Sequence, residues 1–227
     1  MTIHYILSLI FSPLVALITL WVIWTRRGRD RYPGLITGFI FGMLSIVIVL
    51  LFQYIARVFG LDIFSNIRRI IFYAFVVMGL GSELGKFLIL RYYAFPKNEF
   101  NGPLDSIVYS IMISMGFTFM GNVLYFVLPY YPEIDFTYAY SVVLANLFFA
   151  VIMGFFVGMG KSRENKFVDS MTGLFGASFF HALYNFCFIT EDYRLLLFLS
   201  IGAFIIVIML YYKAFETNEE YKRIKNE

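Results

Sequence analysis

Two residues of opposite charge, Glu83 and Lys86, stand inside an apolar stretch that runs from about Ile67 to Leu90. They are three residues apart, so on a helix they share one face. A carboxylate and an ammonium in the middle of a bilayer-length helix are costly to insert, and they must face protein or water rather than lipid. The pair therefore has two interpretations: it neutralises itself and fixes helix packing, or it belongs to a buried reaction or ion site.

A second pair of candidates, His181 and Asn185, lies in another apolar stretch. The two residues are four apart, so they also share a helix face. An imidazole titrates near neutral pH, which makes His181 the best proton carrier in the chain. Because Glu83 is the only carboxylate near the centre of an apolar stretch, it would be the natural general base beside His181. The alternative for His181 is a hydrogen-bonded structural role.

Other polar residues also fall in or beside apolar stretches. Because lipid offers no hydrogen-bond partner, polar groups deep in separate spans are expected to converge. Hydrogen bonding between helices is the default explanation for each asparagine. The remaining candidates are Ser82, Asp105, Asn122 and Asn146.

These residues must be positioned by membrane helices. The 227 residues are 60% hydrophobic and only 15% charged, with a mean hydropathy of +0.77. This composition excludes a disordered chain and fits poorly with a soluble one. Apolar runs of bilayer length predict an all-α, polytopic membrane helical bundle in a single domain, 1–227. About seven spans are expected, at Ile3–Trp24, Leu35–Phe59, Ile67–Leu90, Leu104–Leu128, Phe136–Gly160, Phe167–Ile189 and Leu195–Ala214.

The basic residues predict an orientation. Most of the 18 Lys and Arg residues fall in the first, third and fifth loops and in the tail, although Arg68 and Arg69 run against this pattern. The positive-inside rule therefore places the amino terminus outside and the carboxyl terminus in the cytoplasm. The loop Pro129–Asp135, which has acidic but no basic residues, agrees with an outer position. The first span lacks a basic leader, so it is expected to be a retained helix. A net charge of +3 is too small to indicate a nucleic-acid partner.

Several segments, taken in order, resemble the motifs of PrsW-type intramembrane proteases. The matches run from about Gly81 to Phe186, within a family-like core of about 67–190. The segment Ser82-Glu83-Leu84-Gly85-Lys86 is similar to the family's Glu-Glu-x-x-Lys motif, and His181-Ala182-Leu183-Tyr184-Asn185 is similar to its final His-x-x-x-Asp motif. The intervening segments Phe100–Tyr109, Met115–Tyr125 and Val151–Gly158 follow the family's pattern as well.

The resemblance implies an intramembrane endopeptidase that acts on membrane-anchored protein clients from within the lipid bilayer, in the bacterial cytoplasmic membrane. It implies a divalent metal such as zinc, held by Glu83 and His181. The implied catalytic residues are Glu83, Lys86 and His181, and the implied binding or supporting residues are Ser82, Asp105, Asn122, Asn146 and Asn185.

The sequence departs from the family pattern at four positions. Ser82 and Gly121 stand where the family has Glu, Asn146 where it has His, and Asn185 where it has Asp. A catalytic zinc site usually needs three protein ligands and an open position. Amide oxygens are poor substitutes for imidazole or carboxylate.

Two functions from different classes therefore remain open. In the first, an endopeptidase with a degenerate site, Glu83 acts as general base on a water, His181 orients that water or protonates the leaving amine, and Asn122 stabilises the oxyanion. In the second, an inactive pseudoprotease binds transmembrane segments or lipid in the former cleft. A transporter is a third interpretation, but the sequence lacks the half-helix repeats typical of that class.

Overall fold

The computed structural model describes residues 2–27, 32–98, 100–127 and 136–226. Within these ranges the regular structure is entirely helical, which confirms the all-α prediction. The α-helices are α1 (Thr2–Arg27), α2 (Tyr32–Val58), α3 (Ile67–Phe72), α4 (Gly81–Ile89), α5 (Pro103–Val127), α6 (Phe136–Ser162), α7 (Lys166–Ile189) and α8 (Tyr193–Asn226).

Seven helical spans in these ranges are long and apolar enough to cross a membrane, as predicted. The chain is therefore an integral membrane protein. The third span is composite and runs from Ile67 to Ala94, four residues past its predicted end. The last helix continues beyond its predicted end at Ala214, and a Lys213–Glu216 ion pair of 2.8 Å stabilises that extension. The loop Pro129–Asp135, which is predicted to be on the outside, and the first-loop residues Arg29 and Arg31 lie outside the described residues, so the orientation of the termini stays a prediction.

Helices α5, α6 and α7 form the centre of the bundle, with α2 and the third span packed against them. Helix α1 lies outside, mainly on α5, and α8 lies outside, mainly on α6 and α7. The share of buried residues reflects this arrangement, since it falls from 72% in the span of α6 to 6% in that of α8. The bundle therefore has a well-packed interior and a last helix that presents most of its surface to lipid.

Two glycines allow α2 and α5 to touch backbone to backbone. A Cβ atom on Gly42 would lie 2.0 Å from the carbonyl oxygen of Ile113, and one on Gly116 would lie 2.0 Å from that of Phe39. Any larger residue at either position would force the helices apart. Small residues are the usual means of close helix contact in lipid, where no hydrophobic effect drives association.

The third span changes its helical type around the Glu83–Lys86 pair. Tyr73–Leu80 and Leu90–Ala94 are π-helical, and α4 lies between them. Gly79 meets α7 at Ala182, and Gly85 meets α2 at the carbonyl of Ser45. The span is therefore wedged between α2 and α7, and α4 turns its polar residues into the protein. Single π-turns inside α-helices are frequent at functional sites.

Candidate functional site

Glu83 and Lys86 form a buried ion pair on α4. The ammonium nitrogen of Lys86 lies 2.5 Å from Oε1 of Glu83. Both residues are almost fully buried, with an exposed fraction of 2% for Lys86 and 0% for Glu83. The three-residue spacing produces this contact because α4 is a regular α-helix between the two π-helical segments. The predicted sharing of one helix face is confirmed.

Asn146 of α6 supplies a second partner for the Lys86 ammonium. Its side-chain oxygen accepts a hydrogen bond of 2.7 Å from Nζ of Lys86, while its amide nitrogen donates to the carbonyl of Val142 at 3.0 Å. The ring of Phe117 lies beneath the same ammonium, with its centre 4.9 Å away. A carboxylate, an amide and an aromatic face thus surround the cation.

His181 of α7 approaches the same carboxylate oxygen. Its Nδ1 lies 2.6 Å from Oε1 of Glu83, and its ring stacks on Phe149 with centroids 4.8 Å apart. Since Glu83 faces an ammonium, its carboxylate is the acceptor and Nδ1 of His181 carries the proton. The second oxygen of Glu83, Oε2, is buried and has no hydrogen-bond partner within the described ranges.

A cleft of about 50 Å³ opens beside this cluster. Three of the four positions that depart from the family motifs, Ser82, Gly121 and Asn146, line it, and so does His181. The short side chains at these positions leave the space open. A Cβ atom on Gly121 would meet only Ile46, at an ordinary 3.8 Å, so there is room for a side chain at this position.

The remaining predicted residues lie at different distances from the cluster. Asn122 lines the cleft and donates to the carbonyl of Ser8 in α1 at 3.0 Å, which favours a packing role for it. Asn185 donates to the carbonyl of His181 at 3.0 Å and accepts from the hydroxyl of Tyr138 at 3.3 Å. Asn122 is therefore part of the cleft wall, and Asn185 is joined to the cluster through His181.

Asp105 does not join the cluster. It lies in the first turn of α5 and accepts a hydrogen bond of 3.0 Å from the backbone N–H of Asn101. Asn122 is seventeen residues further along the same helix, which corresponds to about 25 Å at 1.5 Å per residue. The expectation that Asp105 supports the site is therefore not matched by its position. A carboxylate at a helix start stabilises free N–H groups there, and this accounts for it.

Sequence reasoning missed four residues around the site. Phe117 and Phe149 lie against Lys86 and His181, and in a chain with 28 Phe no signal separates them from lipid-facing rings. Tyr138 was missed for a similar reason, because no signal separates it from the other tyrosines of the chain. Gln53 of α2 lines the cleft and donates to the sulfur of Met78 at 3.2 Å. An amide in an apolar span was the signal that could have identified it.

These donors can be compared with the zinc ion that the resemblance implies. The described part of the chain contains no group of three or more His, Cys, Asp or Glu side chains that could hold a metal. Glu83 and His181 supply two donors that bond to each other, and the Lys86 ammonium lies between Glu83 and Asn146. A zinc ion bound to Glu83 would share that carboxylate with the ammonium of Lys86, and the two positive charges would repel each other. This donor set does not fit a zinc ion.

The chain is similar over most of its length to several bacterial proteins named Protease PrsW. It is 27% identical over 182 residues to Protease PrsW of Geobacillus kaustophilus, covering 80% of this chain and 78% of the relative. It is 28% identical over 183 residues to Protease PrsW of Oceanobacillus iheyensis, covering 80% and 81%, and 26% identical over 183 residues to Protease PrsW of Bacillus subtilis, covering 80% and 81%. No solved structure matches the chain. The model of the PrsW family of intramembrane metalloproteases matches residues 31–212, and the chain therefore belongs to that family.

Proposed function

We propose that this member of the family binds a membrane-anchored protein in its cleft and does not hydrolyse it by a metal-dependent route. One observation carries the proposal: the ammonium of Lys86 lies between Glu83 and Asn146, at 2.5 and 2.7 Å, where a metal site would need negative or imidazole ligands. The proposed function is thus that of a pseudoprotease that retains the client-binding part of the scaffold.

The charges of the cluster support this proposal. Glu83 contributes one negative charge and Lys86 one positive charge, so the pair is already neutral. A divalent ion placed against it would leave two uncompensated positive charges in a site from which water is largely excluded. The cost of burying unpaired charge is several kcal/mol per ion. Three of the four departures from the family motifs remove a carboxylate that would have offset this charge, and the fourth removes an imidazole that could have bound the ion.

The cleft is suited to hold a side chain of a client's transmembrane helix. Its walls are mostly apolar, and its polar groups include Ser82, Asn146 and Gln53. A client segment that carries one polar side chain or a broken backbone hydrogen bond needs such a partner, since lipid offers none. We therefore expect the preferred client to be a single-span protein with a polar residue near the middle of its span.

The test uses two defined peptides in proteoliposomes. One is a polyleucine span with a central Asn, and the other is the same span without Asn. Fluorescence transfer from labelled protein to labelled peptide reports binding, and mass spectrometry of the peptide reports cleavage. We expect the Asn peptide to bind and to stay intact, and the all-Leu peptide to bind more weakly.

Two variants of matched chemistry complete the design. Gly121→Leu fills the cleft and is expected to remove binding of the Asn peptide. Gly202→Leu is the control, because a side chain there meets nothing within 4 Å. Equal binding in both variants would refute the cleft as the binding site. If the Asn peptide is cleaved and a chelator abolishes this cleavage, the proposal is refuted, because hydrolysis would then depend on a metal.

A second function is favoured by the free oxygen of Glu83. Oε2 has no partner within the described ranges, so it is an available proton acceptor. In a metal-free endopeptidase, Glu83 would take a proton from water as the water oxygen attacks the peptide carbonyl. Glu83 would then give that proton to the leaving amine as the C–N bond breaks, while the 2.6 Å hydrogen bond from Nδ1 of His181 orients its carboxylate. Cleavage that survives chelation, and that disappears in Glu83→Gln while this variant still binds the Asn peptide, would establish this function.

A further inference from the structure

A cluster of basic residues gathers at one end of the bundle, away from the cleft. It consists of Arg91 near the end of the third span, Lys97 in the following loop and Lys161 near the end of α6. The guanidinium carbon of Arg91 lies 4.2 Å from the centre of the Phe95 ring, and the ammonium of Lys161 lies 4.9 Å from the same point. One aromatic ring therefore holds two cations beside each other.

Each cation of this basic cluster contacts an aromatic ring, and one also donates a hydrogen bond to a carbonyl. Lys161 donates a hydrogen bond of 2.9 Å to the carbonyl of Phe95 and lies 5.8 Å from the ring centre of Phe100. The ammonium of Lys97 lies 4.4 Å from the ring centre of Tyr93. Such contacts order long side chains that would otherwise extend into water.

The cluster lacks matching negative charge within the described ranges. Asp105 is hydrogen-bonded to the backbone of Asn101, and Asp169 pairs with Arg163 at 3.6 Å. No ion pair joins a described carboxylate to the three basic residues; Glu99, which belongs to the same loop in sequence, is outside those ranges. Nη1 of Arg91 is buried and has no acceptor among the described residues. A guanidinium N–H in this state needs an anionic or carbonyl oxygen.

We propose that Arg91, Lys97 and Lys161 form a binding site for a phosphate group, filled by the headgroup of an anionic phospholipid. A guanidinium offers a forked pair of N–H groups that fits two phosphate oxygens, and the two ammonium groups add charge. Basic pockets between transmembrane helices on the cytoplasmic side are suited to such headgroups.

The surroundings favour a lipid over a soluble phosphate. Tyr92, next to Arg91, exposes 74% of its surface, and Phe167, at the start of α7, exposes 72%. Exposed aromatic rings at the ends of membrane spans lie at the level of lipid headgroups. The basic cluster therefore lies where a lipid phosphate is already present at high local concentration.

The test measures thermal unfolding of the full chain in detergent micelles during titration with short-chain lipids. Phosphatidylglycerol is expected to raise the unfolding midpoint by roughly 3 °C or more. Phosphatidylcholine of the same chain length carries its phosphate under a cationic group that the cluster repels, so it should have little effect. Inorganic phosphate is the third ligand, and an equal shift with it would overturn the assignment to lipid.

Three variants test the residues. Arg91→Gln and Lys161→Gln are expected to weaken the phosphatidylglycerol effect about tenfold in midpoint concentration, since each removes a charge-assisted contact. Lys213→Gln is the control, because Lys213 is exposed and pairs with Glu216. If Lys161→Gln fails to fold, Lys97→Gln replaces it, since Lys97 makes only a ring contact. An unchanged response in Arg91→Gln, or an equal loss in Lys213→Gln, would overturn the proposal.

Discussion

The ammonium nitrogen of Lys86 lies 2.7 Å from the side-chain oxygen of Asn146, a residue that follows it by 60 positions in the chain. This bond joins the third span to α6 across the interior of the bundle. With the bond to Glu83, it makes Lys86 the centre of the cluster. The properties of the site therefore depend on a cation that the protein itself supplies.

Removing the charge of Glu83 should destabilise the protein strongly. In Glu83→Gln the ammonium of Lys86 stays buried without a counter-charge, and breaking such a pair costs about 3 kcal/mol or more. The free energy of unfolding in mixed micelles measures the effect. Replacing both partners, as in Glu83→Gln with Lys86→Met, should recover most of the loss. If the double variant is less stable than Glu83→Gln alone, the loss of stability does not come from the unpaired ammonium of Lys86.

Restoring the missing donors should create a metal site. The parent is expected to purify with far less than one zinc per chain, as measured by elemental analysis. The combined variant Ser82→Glu, Gly121→Glu, Asn146→His and Asn185→Asp supplies carboxylate and imidazole ligands and should retain about one zinc per chain. Position 121 has room for the new side chain, since the nearest neighbour of a Cβ atom there is 3.8 Å away. Stoichiometric zinc in the parent that disappears in His181→Ala would contradict this prediction.

Replacement by alanine should change the stability of the protein very differently at Gly42 and at Gly202. Gly42→Ala places a Cβ atom 2.0 Å from the carbonyl oxygen of Ile113, so α2 and α5 must move apart. We expect a loss of roughly 2 kcal/mol or more in unfolding free energy. Gly202→Ala meets nothing within 4 Å, and it should be neutral or slightly stabilising because alanine favours the helix. Equal behaviour of the two variants would mean that the α2–α5 contact is looser than described.

The predicted orientation can be measured by labelling introduced cysteines, because the chain has a single native cysteine. Cys187 is fully buried, so the parent should not react with a membrane-impermeant maleimide. Ile63→Cys, in the loop before α3, should react on intact cells. Glu164→Cys, between α6 and α7, should react only after permeabilisation. The opposite pattern would place the amino terminus inside.

Sequence alone predicted the parts of the fold that the bilayer dictates. Spans must be apolar and about 20 residues long, so their number and approximate ends follow from hydropathy. The Glu83–Lys86 contact followed from helix periodicity, because both residues belong to one regular helical segment. The approach of His181 and Asn146 was expected in general terms, since buried polar groups need partners.

Other features depended on contacts that sequence does not encode locally. The π-helical segments on either side of α4 have no distinctive composition, and they follow from how the third span fits between α2 and α7. The position of Asp105 away from the cluster could not be foreseen, because a carboxylate in a polar family motif looks like a site residue. Its hydrogen bond to the backbone of Asn101 shows a local role at a helix start.

The π-helical segment Tyr73–Leu80 also has a consequence for changes in chain length. A π-turn holds an extra residue that an α-helical turn does not need. Deleting one residue there lets the segment relax towards α-helix, so the loss is absorbed locally and both α3 and α4 keep roughly their present faces towards the bundle. A one-residue gap between this chain and another at Tyr73–Leu80 would thus turn neither end of the span, and Glu83 and Lys86 would stay aligned.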